Sequence, residues 1–298
     1  MNEINLILYD KPYLRRPHMV LAFAGWPDAG EVATGALRYL ISKTKASALG
    51  AIPYDPFYDF TTLRPITSIE RGELKLLRLP TNDLYSLVSE RSGHDFIFLL
   101  ATEPHLHWET YARQVMRVVE EFGVSQLVTL GSMFDAVPHT KEAKVSGMGT
   151  TEAVRATLRE SGVVLIDYQG PSSFHTLVHR FCQQRGIASA SLWGHAPLYV
   201  RAPANPKVCW ALLNRLASIS SLDLDLTDLR TAGEYLTDTL DKLMAQNDAI
   251  RLYVRRLEEQ YDEGAGGPTV ADEGAEQMIR DVEEFLRREQ RRGRDAAD

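Results

Sequence analysis

The hydrophobic residues form three similar units, each predicting a strand, a helix and a second strand. In each unit a short apolar run is followed by apolar residues spaced three or four apart, and then by another apolar run. The units cover residues 19–52, 96–130 and 163–192. Apolar runs without polar interruptions are typical of strands that are covered on both faces of a sheet.

Strands joined in this way form a parallel sheet, because right-handed crossovers place helices on both of its faces. We therefore expect an α/β fold over residues 1–225, a three-layer α/β/α sandwich around a mostly parallel mixed sheet. Residues 61–79 follow a different pattern. Apolar and polar residues alternate there on either side of Arg71-Gly72-Glu73, which predicts a β-hairpin.

After about residue 225 the pattern changes to a heptad repeat, which predicts a helical extension over residues 226–292. We expect one long heptad helix over 229–261, an acidic, glycine-rich loop over 262–273, and a second helix over 275–292. The tail at 293–298 is expected to be disordered.

Two series of residues, each with a period of seven, form the seam of this predicted helix. The first series is Leu229, Leu236, Leu243, Ile250 and Leu257, and the second is Leu240, Asn247, Val254 and Tyr261. Their alternation is typical of a coiled coil with a polar Asn247 inside it. The pattern leaves open whether the seam packs within the chain or between chains. The predicted interface consists of Leu236, Leu240, Leu243, Asn247, Ile250 and Val254.

Composition and charge narrow the classes of protein to which this fold could belong. The formal net charge of −7 argues against general nucleic-acid binding, since phosphate contacts need a basic surface. No run reaches the roughly 18 apolar residues of a membrane span, and residues 1–5 show no signal-peptide pattern. Two cysteines, Cys182 and Cys209, are too few for a disulfide framework. We expect a cytoplasmic protein.

Ionisable side chains follow the predicted strands at the edge where open α/β sheets bind ligands. Glu103, Asp135 and His139 are the candidates for acid–base catalysis, because carboxyl and imidazole groups transfer protons near neutral pH. His105, close to Glu103 in the chain, is a candidate for ligand binding.

The segment from Gly25 to Glu31 is expected to begin the first helix. Asp28-Ala29-Gly30-Glu31 fits the capping-box pattern, in which the Asp28 carboxylate accepts from the Glu31 amide and the Glu31 side chain reaches back to the Asp28 amide. A helix N-terminus also suits an anion, and an aromatic ring beside it could stack on a ligand. Asp28 and Trp26 are therefore ligand-binding candidates as well.

No motif for a metal, a cofactor or a nucleophile is complete. His175, His179 and Cys182 share one helix face at metal-ligand spacing, but Thr176 stands where a zincin needs glutamate, and a packed helix face explains the spacing better. The phosphate-binding P-loop pattern is absent, and Ser132 lacks the second glycine of a nucleophile elbow. We predict no metal and no cofactor, and the sequence favours a protein without catalytic activity.

Five groups of residues resemble the proteasome-assembly-chaperone-two family, and most of all its longer actinobacterial branch with a helical C-terminal extension. They lie in the order that the family has, over residues 6–220, and the set is far more specific than any one member. The groups are Gly25-Trp26-Pro27-Asp28-Ala29-Gly30, Tyr58-Asp59-Phe60 with Arg64-Pro65, Glu103-Pro104-His105 with Trp108, Val137-Pro138-His139-Thr140, and Tyr168-Gln169-Gly170-Pro171.

The resemblance implies a sandwich akin to the phosphorylase/hydrolase-like fold, a homo-oligomer such as a trimer, and no established reaction. Eukaryotic members assist assembly of the proteasome α-ring, in part through a tail ending in a hydrophobic residue, tyrosine and any residue. This chain ends Ala296-Ala297-Asp298, so docking through such a tail is not expected.

Two functions follow as hypotheses. The first is a non-catalytic assembly or protein-interaction factor, whose partners are further copies of the chain or another protein such as a proteasome component. The alternative is a small-molecule binding protein or a hydrolase- or phosphorylase-like enzyme with its site at the carboxyl edge of the sheet. A deep pocket that gathers the carboxylates and histidines would favour the enzyme. An edge that is shallow, or filled by Trp26 and Trp108, would favour the interaction factor.

Overall fold

The computed structural model describes residues 6–262 and 279–289. Within these residues, nine strands form the central sheet and two form a separate hairpin. The strands are β1 (Ile7–Leu8), β2 (His18–Ala24), β3 (Ser47–Ala51), β4 (Ile66–Glu70), β5 (Glu73–Arg78), β6 (Asp83–Leu87), β7 (Phe96–Thr102), β8 (Gln126–Asp135), β9 (Val145–Gly149), β10 (Val164–Leu165) and β11 (Ala188–Pro197). The order in the central sheet is β1-β3-β6-β7-β2-β8-β11-β9-β10.

The middle of the sheet consists of the four parallel strands β7, β2, β8 and β11. Each of them begins or ends one of the three units that the sequence predicts. Strands β6 and β9 run antiparallel to their neighbours β7 and β11, which makes the sheet mixed. Neither strand is predicted by the hydrophobic pattern. The predicted hairpin is confirmed as β4 and β5, which pair only with each other.

The helices lie on both faces of the sheet, which confirms the three-layer sandwich. They are α1 (Val32–Thr44), α2 (Trp108–Phe122), α3 (Glu152–Glu160), α4 (Phe174–Gln184), α5 (Pro206–Ile219), α6 (Thr227–Gln246) and α7 (Asp248–Asp262). Residues of α1, α3 and α5 share one hydrophobic core with the sheet, and residues of α2 and α4 share the other. Helices α3 and α5 were not predicted.

Strand β2 shows why the apolar runs are unbroken. Val20 and Ala22 are fully buried in the core under α1, whereas Met19, Leu21 and Phe23 are fully buried in the core under α2. Alternate side chains of a strand point to opposite faces, so a strand covered on both faces needs an apolar residue at every position.

The predicted capping box at the start of α1 is wrong in its geometry. The Asp28 carboxylate accepts from the amides of Ala33 and Thr34, at 2.7 and 3.2 Å, and from the Thr34 hydroxyl. A 3₁₀ turn over Ala29–Glu31 separates Asp28 from the helix, with Gly30 at a φ of 63°. Because of this turn, α1 begins at Val32, three residues later than an N-cap at Asp28 would place its start. Glu31 is exposed and lies 3.7 Å from Arg38.

The predicted single helix over 229–261 is broken at Asn247, between α6 and α7. Asn247 has an extended backbone, and its side-chain oxygen accepts from the amides of Ala249 and Ile250, at 3.0 and 3.2 Å. It is therefore the N-cap of α7 rather than a polar residue inside a continuous seam. Asparagine is among the best N-cap residues, because its short side chain reaches the first free amides of a helix.

The apolar side chains of the heptad series pack within the chain. Leu240 and Leu243 of α6, together with Ile250 and Val254 of α7, are buried in a third core with Tyr199, Val200, Leu257 and Val282. Leu236 is half-buried at its margin. In this conformation these predicted interface residues face other parts of the same chain.

Residues 279–289 are helical, and Val282 is fully buried in this third core. The predicted second helix over 275–292 is thus present over its described part. The acidic loop predicted over 262–273 and the tail predicted over 293–298 lie outside the described residues, apart from Asp262. No helix in the described part of the chain is both long and apolar enough to cross a bilayer.

Candidate functional site

Two tryptophans dominate the carboxyl edge of the central strands. Trp26 follows β2 and is 60% exposed. Its ring meets the ring of Trp193, on β11, at a centroid distance of 6.5 Å and in an edge-to-face arrangement. Trp193 in turn covers Gly131 of β8, where a Cβ atom would lie 2.8 Å from the indole. Gly131 thus lets Trp193 lie flat on the sheet, and Trp193 supports the exposed Trp26 from behind.

Glu103 lies at the N-terminus of α4 rather than in an open pocket. Its carboxylate accepts from the Phe174 amide at 2.7 Å. Burial raises the pKa of Glu103, and this hydrogen bond only partly opposes the effect. The carboxylate therefore occupies the position at which a helix N-terminus could bind an external anion.

His105 belongs to a separate, exposed turn. Its Nδ1 accepts from the Asp59 amide at 3.2 Å, and its ring packs edge-on against Tyr58. Trp108, at the start of α2, packs on Phe174 and donates to the Pro104 carbonyl. It does not fill the edge of the sheet.

Asp135 forms a hydrogen-bonded chain with two residues that the sequence analysis did not connect with it. Its Oδ2 lies 2.7 Å from Nδ1 of His195, and Nε2 of His195 lies 2.7 Å from the hydroxyl of Ser146. Burial raises the pKa of Asp135, but the hydrogen bond and charge of His195 outweigh that effect and lower it overall.

The connectivity of this chain is that of a Ser-His-Asp triad, but its surroundings are those of a structural network. Ser146 lies within β9, between β11 and β10, and is 2% exposed. A serine nucleophile must be reached by its substrate, together with donors for the oxyanion. This hydrogen-bonded series instead joins the ends of β8, β9 and β11, and it gives partners to the buried Ser146 and His195 and to the half-buried Asp135.

His139 connects the α/β domain to the helical extension. Its Nδ1 lies 2.6 Å from the Tyr199 hydroxyl, and its Nε2 lies 3.2 Å from Asp241 of α6. The next two residues continue this connection, because Thr140 donates to Glu258 and Lys141 lies 2.8 Å from Asp262. Burial lowers the pKa of His139, although Asp241 opposes this. The loop after β8 therefore holds α6 and α7 against the domain.

The histidines of α4 are buried and make no metal site. His179 hydrogen-bonds to Thr129 and Ser189, at 2.9 and 3.0 Å. Both ring nitrogens of His175 lack a hydrogen-bond partner, and its ring lies among Phe23, Trp193 and its own helix. In the described residues, no three His, Cys, Asp or Glu side chains are grouped so that they could hold a metal ion.

We expect the buried histidines to destabilise the protein as the pH falls from about 6.5 to 4. Burial lowers the pKa of His175 to about 3 and that of His179 to about 4. The unfolded chain then binds protons that the folded chain excludes, so the stability present above pH 6.5 is lost on acidification, by about 1.4 kcal/mol per pH unit for each histidine. His175→Phe should reduce this slope by one histidine, as measured by urea unfolding at several pH values.

His179→Phe is the matched control, since it removes a histidine from the same helix face but breaks two hydrogen bonds. It should lower the unfolding free energy at pH 7, whereas His175→Phe should leave it unchanged or raise it. An unchanged slope in His175→Phe would mean that His175 is already protonated or solvated in the folded state.

The residues predicted for the site are thus placed in separate environments. Asp28 holds α1, Glu103 holds α4, His105 supports a surface turn, Asp135 pairs with His195, and His139 binds the extension. Of the six candidates, Trp26 and His105 are exposed, and Trp26 is 60% exposed. Gly131 and Ser146 were not predicted as parts of this edge. Asp135 and His195 lie at similar distances from the starts of their apolar runs. Only this similarity could have indicated that the two residues lie side by side.

The chain is similar in sequence to one described family and in structure to several solved proteins. The profile of the PAC2 family matches residues 22–244. A PAC2 family protein from Streptomyces avermitilis is 29% identical, with a TM-score of 0.71, covering 80% of this chain and 99% of that one. A proteasome-assembly chaperone homologue from Mycobacterium tuberculosis is 27% identical, with a TM-score of 0.73 and the same coverages.

A more distant likeness shows the fold alone. An archaeal proteasome activator from Pyrococcus furiosus is 21% identical, with a TM-score of 0.62, over 82% of this chain and 99% of that one. No curated protein gives a significant match.

Proposed function

This chain belongs to the PAC2 family, and on that basis we propose that it is a protein-interaction factor with a proteasome-related role, and not an enzyme. The proteasome-assembly chaperone homologue from Mycobacterium tuberculosis supports the role, since it is similar over 99% of its own length. The proposed partners are proteasome subunits and further copies of this chain, in a homo-oligomer such as a trimer.

The main support for the proposal is the arrangement of side chains at the carboxyl edge of the sheet. An enzyme site would need the carboxylates and histidines to face one pocket, but each of them is used in a separate structural contact. The edge instead presents Trp26, rigidly supported by Trp193. Exposed tryptophans on rigid supports are frequent hot spots of protein interfaces, because they bury a large area at a small cost in conformational entropy.

The β4–β5 hairpin gives a second reason to expect protein partners. Five aliphatic side chains of the hairpin are between 42% and 63% exposed, Ile66 and Leu76 on one face and Ile69, Leu74 and Leu77 on the other. A two-stranded hairpin without a packed face is only marginally stable in water. Contact with a partner, or with a second copy of the chain, would supply the missing cover.

A cytoplasmic location agrees with this role and with the free thiols of Cys182 and Cys209.

Trp26→Ala should weaken binding to proteasome α subunits from the same organism at least tenfold, because truncating a central tryptophan commonly costs 2 kcal/mol or more. Biolayer interferometry with purified subunits measures this. Tyr13→Ala is the matched control, since Tyr13 is an aromatic residue with 88% exposure that precedes β2, away from the carboxyl edge. It should bind as the unchanged protein does. Equal binding by Trp26→Ala, or no binding of any proteasome subunit by the unchanged protein, would contradict the proposal.

A further inference from the structure

A cleft of about 360 Å³ lies at the carboxyl ends of β2 and β7, on the side of the sheet that α1 covers. Its floor consists of Ala24, the last residue of β2, and of Leu100, Ala101 and Thr102, the last three residues of β7. One wall is α1, which contributes Arg38. The other wall is the base of the hairpin, where Arg64 precedes β4 and Arg78 ends β5.

The charges in this cleft are all of one sign. Its lining includes three arginines and no aspartate or glutamate, although the whole protein carries a net charge of −7. Arg38 has one weak contact, 3.7 Å from the exposed Glu31. The side chains of Arg64 and Arg78 make no ion pair or hydrogen bond with any residue of the ranges 6–262 and 279–289, and Arg78 pairs with Ile66 through its backbone alone.

Positive charges in one cleft repel each other, whereas each of them attracts a bound anion. Guanidinium groups bind carboxylate and phosphate through paired hydrogen bonds. The volume is at the lower end of the range for small-molecule sites, and Leu63, Leu79 and Leu100 give the lining an apolar part. The position also agrees with the rule that open α/β sheets bind ligands beyond the carboxyl ends of their strands.

We propose that this cleft, the arginine cleft, binds a small organic anion that carries at least two phosphate or carboxylate groups. Arg64 and Arg78 bind its charged groups from the hairpin base, and Arg38 binds it from α1. The ligand would thereby join the hairpin to the sandwich. The inference goes beyond the proposed function, because it involves neither Trp26 nor a protein partner.

Isothermal titration of the full chain with pyrophosphate, ATP and citrate, in buffer with low salt, tests the proposal. At least one of these probes should bind with a Kd below 1 mM, a practical limit of detection equivalent to roughly 4 kcal/mol. Arg64→Ala and Arg78→Ala should each weaken that binding at least tenfold. Without ligand, both variants should unfold at the same temperature as the unchanged protein or at a higher one, since repulsion is relieved.

Arg71→Ala is the matched control, because Arg71 is an exposed arginine in the turn of the same hairpin and does not line the cleft. It should change the Kd less than twofold, as should Trp26→Ala, which separates this site from the interaction surface. Three outcomes would overturn the proposal. They are no binding of any probe, an equal loss of binding in Arg71→Ala, and arginine-dependent binding of an acidic peptide without binding of the small anions.

Discussion

Replacing Val254 by aspartate is expected to detach α7 from the rest of the molecule. Val254 is fully buried in the third core, among Tyr199, Leu240 and Val282. An unpaired carboxylate there would lack both water and a counter-ion, and breaking the charge balance of a buried site costs about 3–5 kcal/mol. We expect rapid proteolytic cleavage within residues 248–262, measured by limited trypsin digestion, while the α/β domain remains protected.

Leu252→Asp is the matched control, since Leu252 lies on the same helix but is 56% exposed. It should leave the digestion pattern unchanged.

Light scattering of both variants also tests the predicted coiled-coil interface. If Val254→Asp lowers the particle mass while α7 stays protected from trypsin, the seam contacts another chain, and the packing within the chain does not describe the protein in solution.

Replacing Asp28 by alanine is expected to lower the free energy of unfolding by about 3 kcal/mol. The Asp28 carboxylate accepts from two buried amides of α1 and from the Thr34 hydroxyl, and it lies 3.4 Å from the Ser132 hydroxyl. Loss of an N-cap costs about 1 kcal/mol, and each buried donor left without an acceptor adds roughly 1–3 kcal/mol, less any relaxation. Urea unfolding followed by circular dichroism measures the change.

Two further variants separate the observed cap from the predicted capping box. Asp28→Asn keeps one acceptor oxygen and should lose less stability than Asp28→Ala. Glu31→Ala should change the unfolding free energy by no more than about 0.5 kcal/mol, as for most exposed positions. A loss in Glu31→Ala as large as that in Asp28→Ala would show that the reciprocal capping box forms after all.

The buried histidines and the Asp28 cap stabilise the edge of the sheet. Trp26 and the arginine cleft are the features of this edge that a partner or ligand could contact. The polar groups that the sequence suggests for catalysis or ligand binding, namely Asp28, Glu103, Asp135 and His139, are the groups that fix the loops after β2, β7 and β8. Asp28, two residues after Trp26, binds the first amides of α1 and so fixes the loop that carries the exposed tryptophan.

The elements with strong local patterns were predictable. The central strands came from unbroken apolar runs, α1, α2 and α4 from apolar residues three or four apart, and the hairpin from alternation around Gly72. Strands β6 and β9 were missed because their apolar residues are few and are interrupted by serine, glycine or aspartate. Their strand structure depends on pairing with β7 and β11.

The heptad series shows the opposite error. A period of seven describes which side chains share a face, but it cannot distinguish one long helix from two helices that cover the same core. Asn247 suits both, as a polar residue in a seam and as an N-cap. The fold places Tyr199 and Val200 opposite the seam, and the break at Asn247 lets both α6 and α7 pack on this core.

The sandwich, the two-sided burial of its strands and the likeness to a family follow from the sequence alone, because they depend on residues close together in the chain or on their order along it. Which side chains contact each other depends instead on the three-dimensional fold. Asp135 and His195, like Arg38, Arg64 and Arg78, are far apart in sequence and are brought together by strand order and register. Neither register nor strand order is recorded in the periodicity of a single segment, so the candidate residues could be named while their partners, and hence their roles, could not.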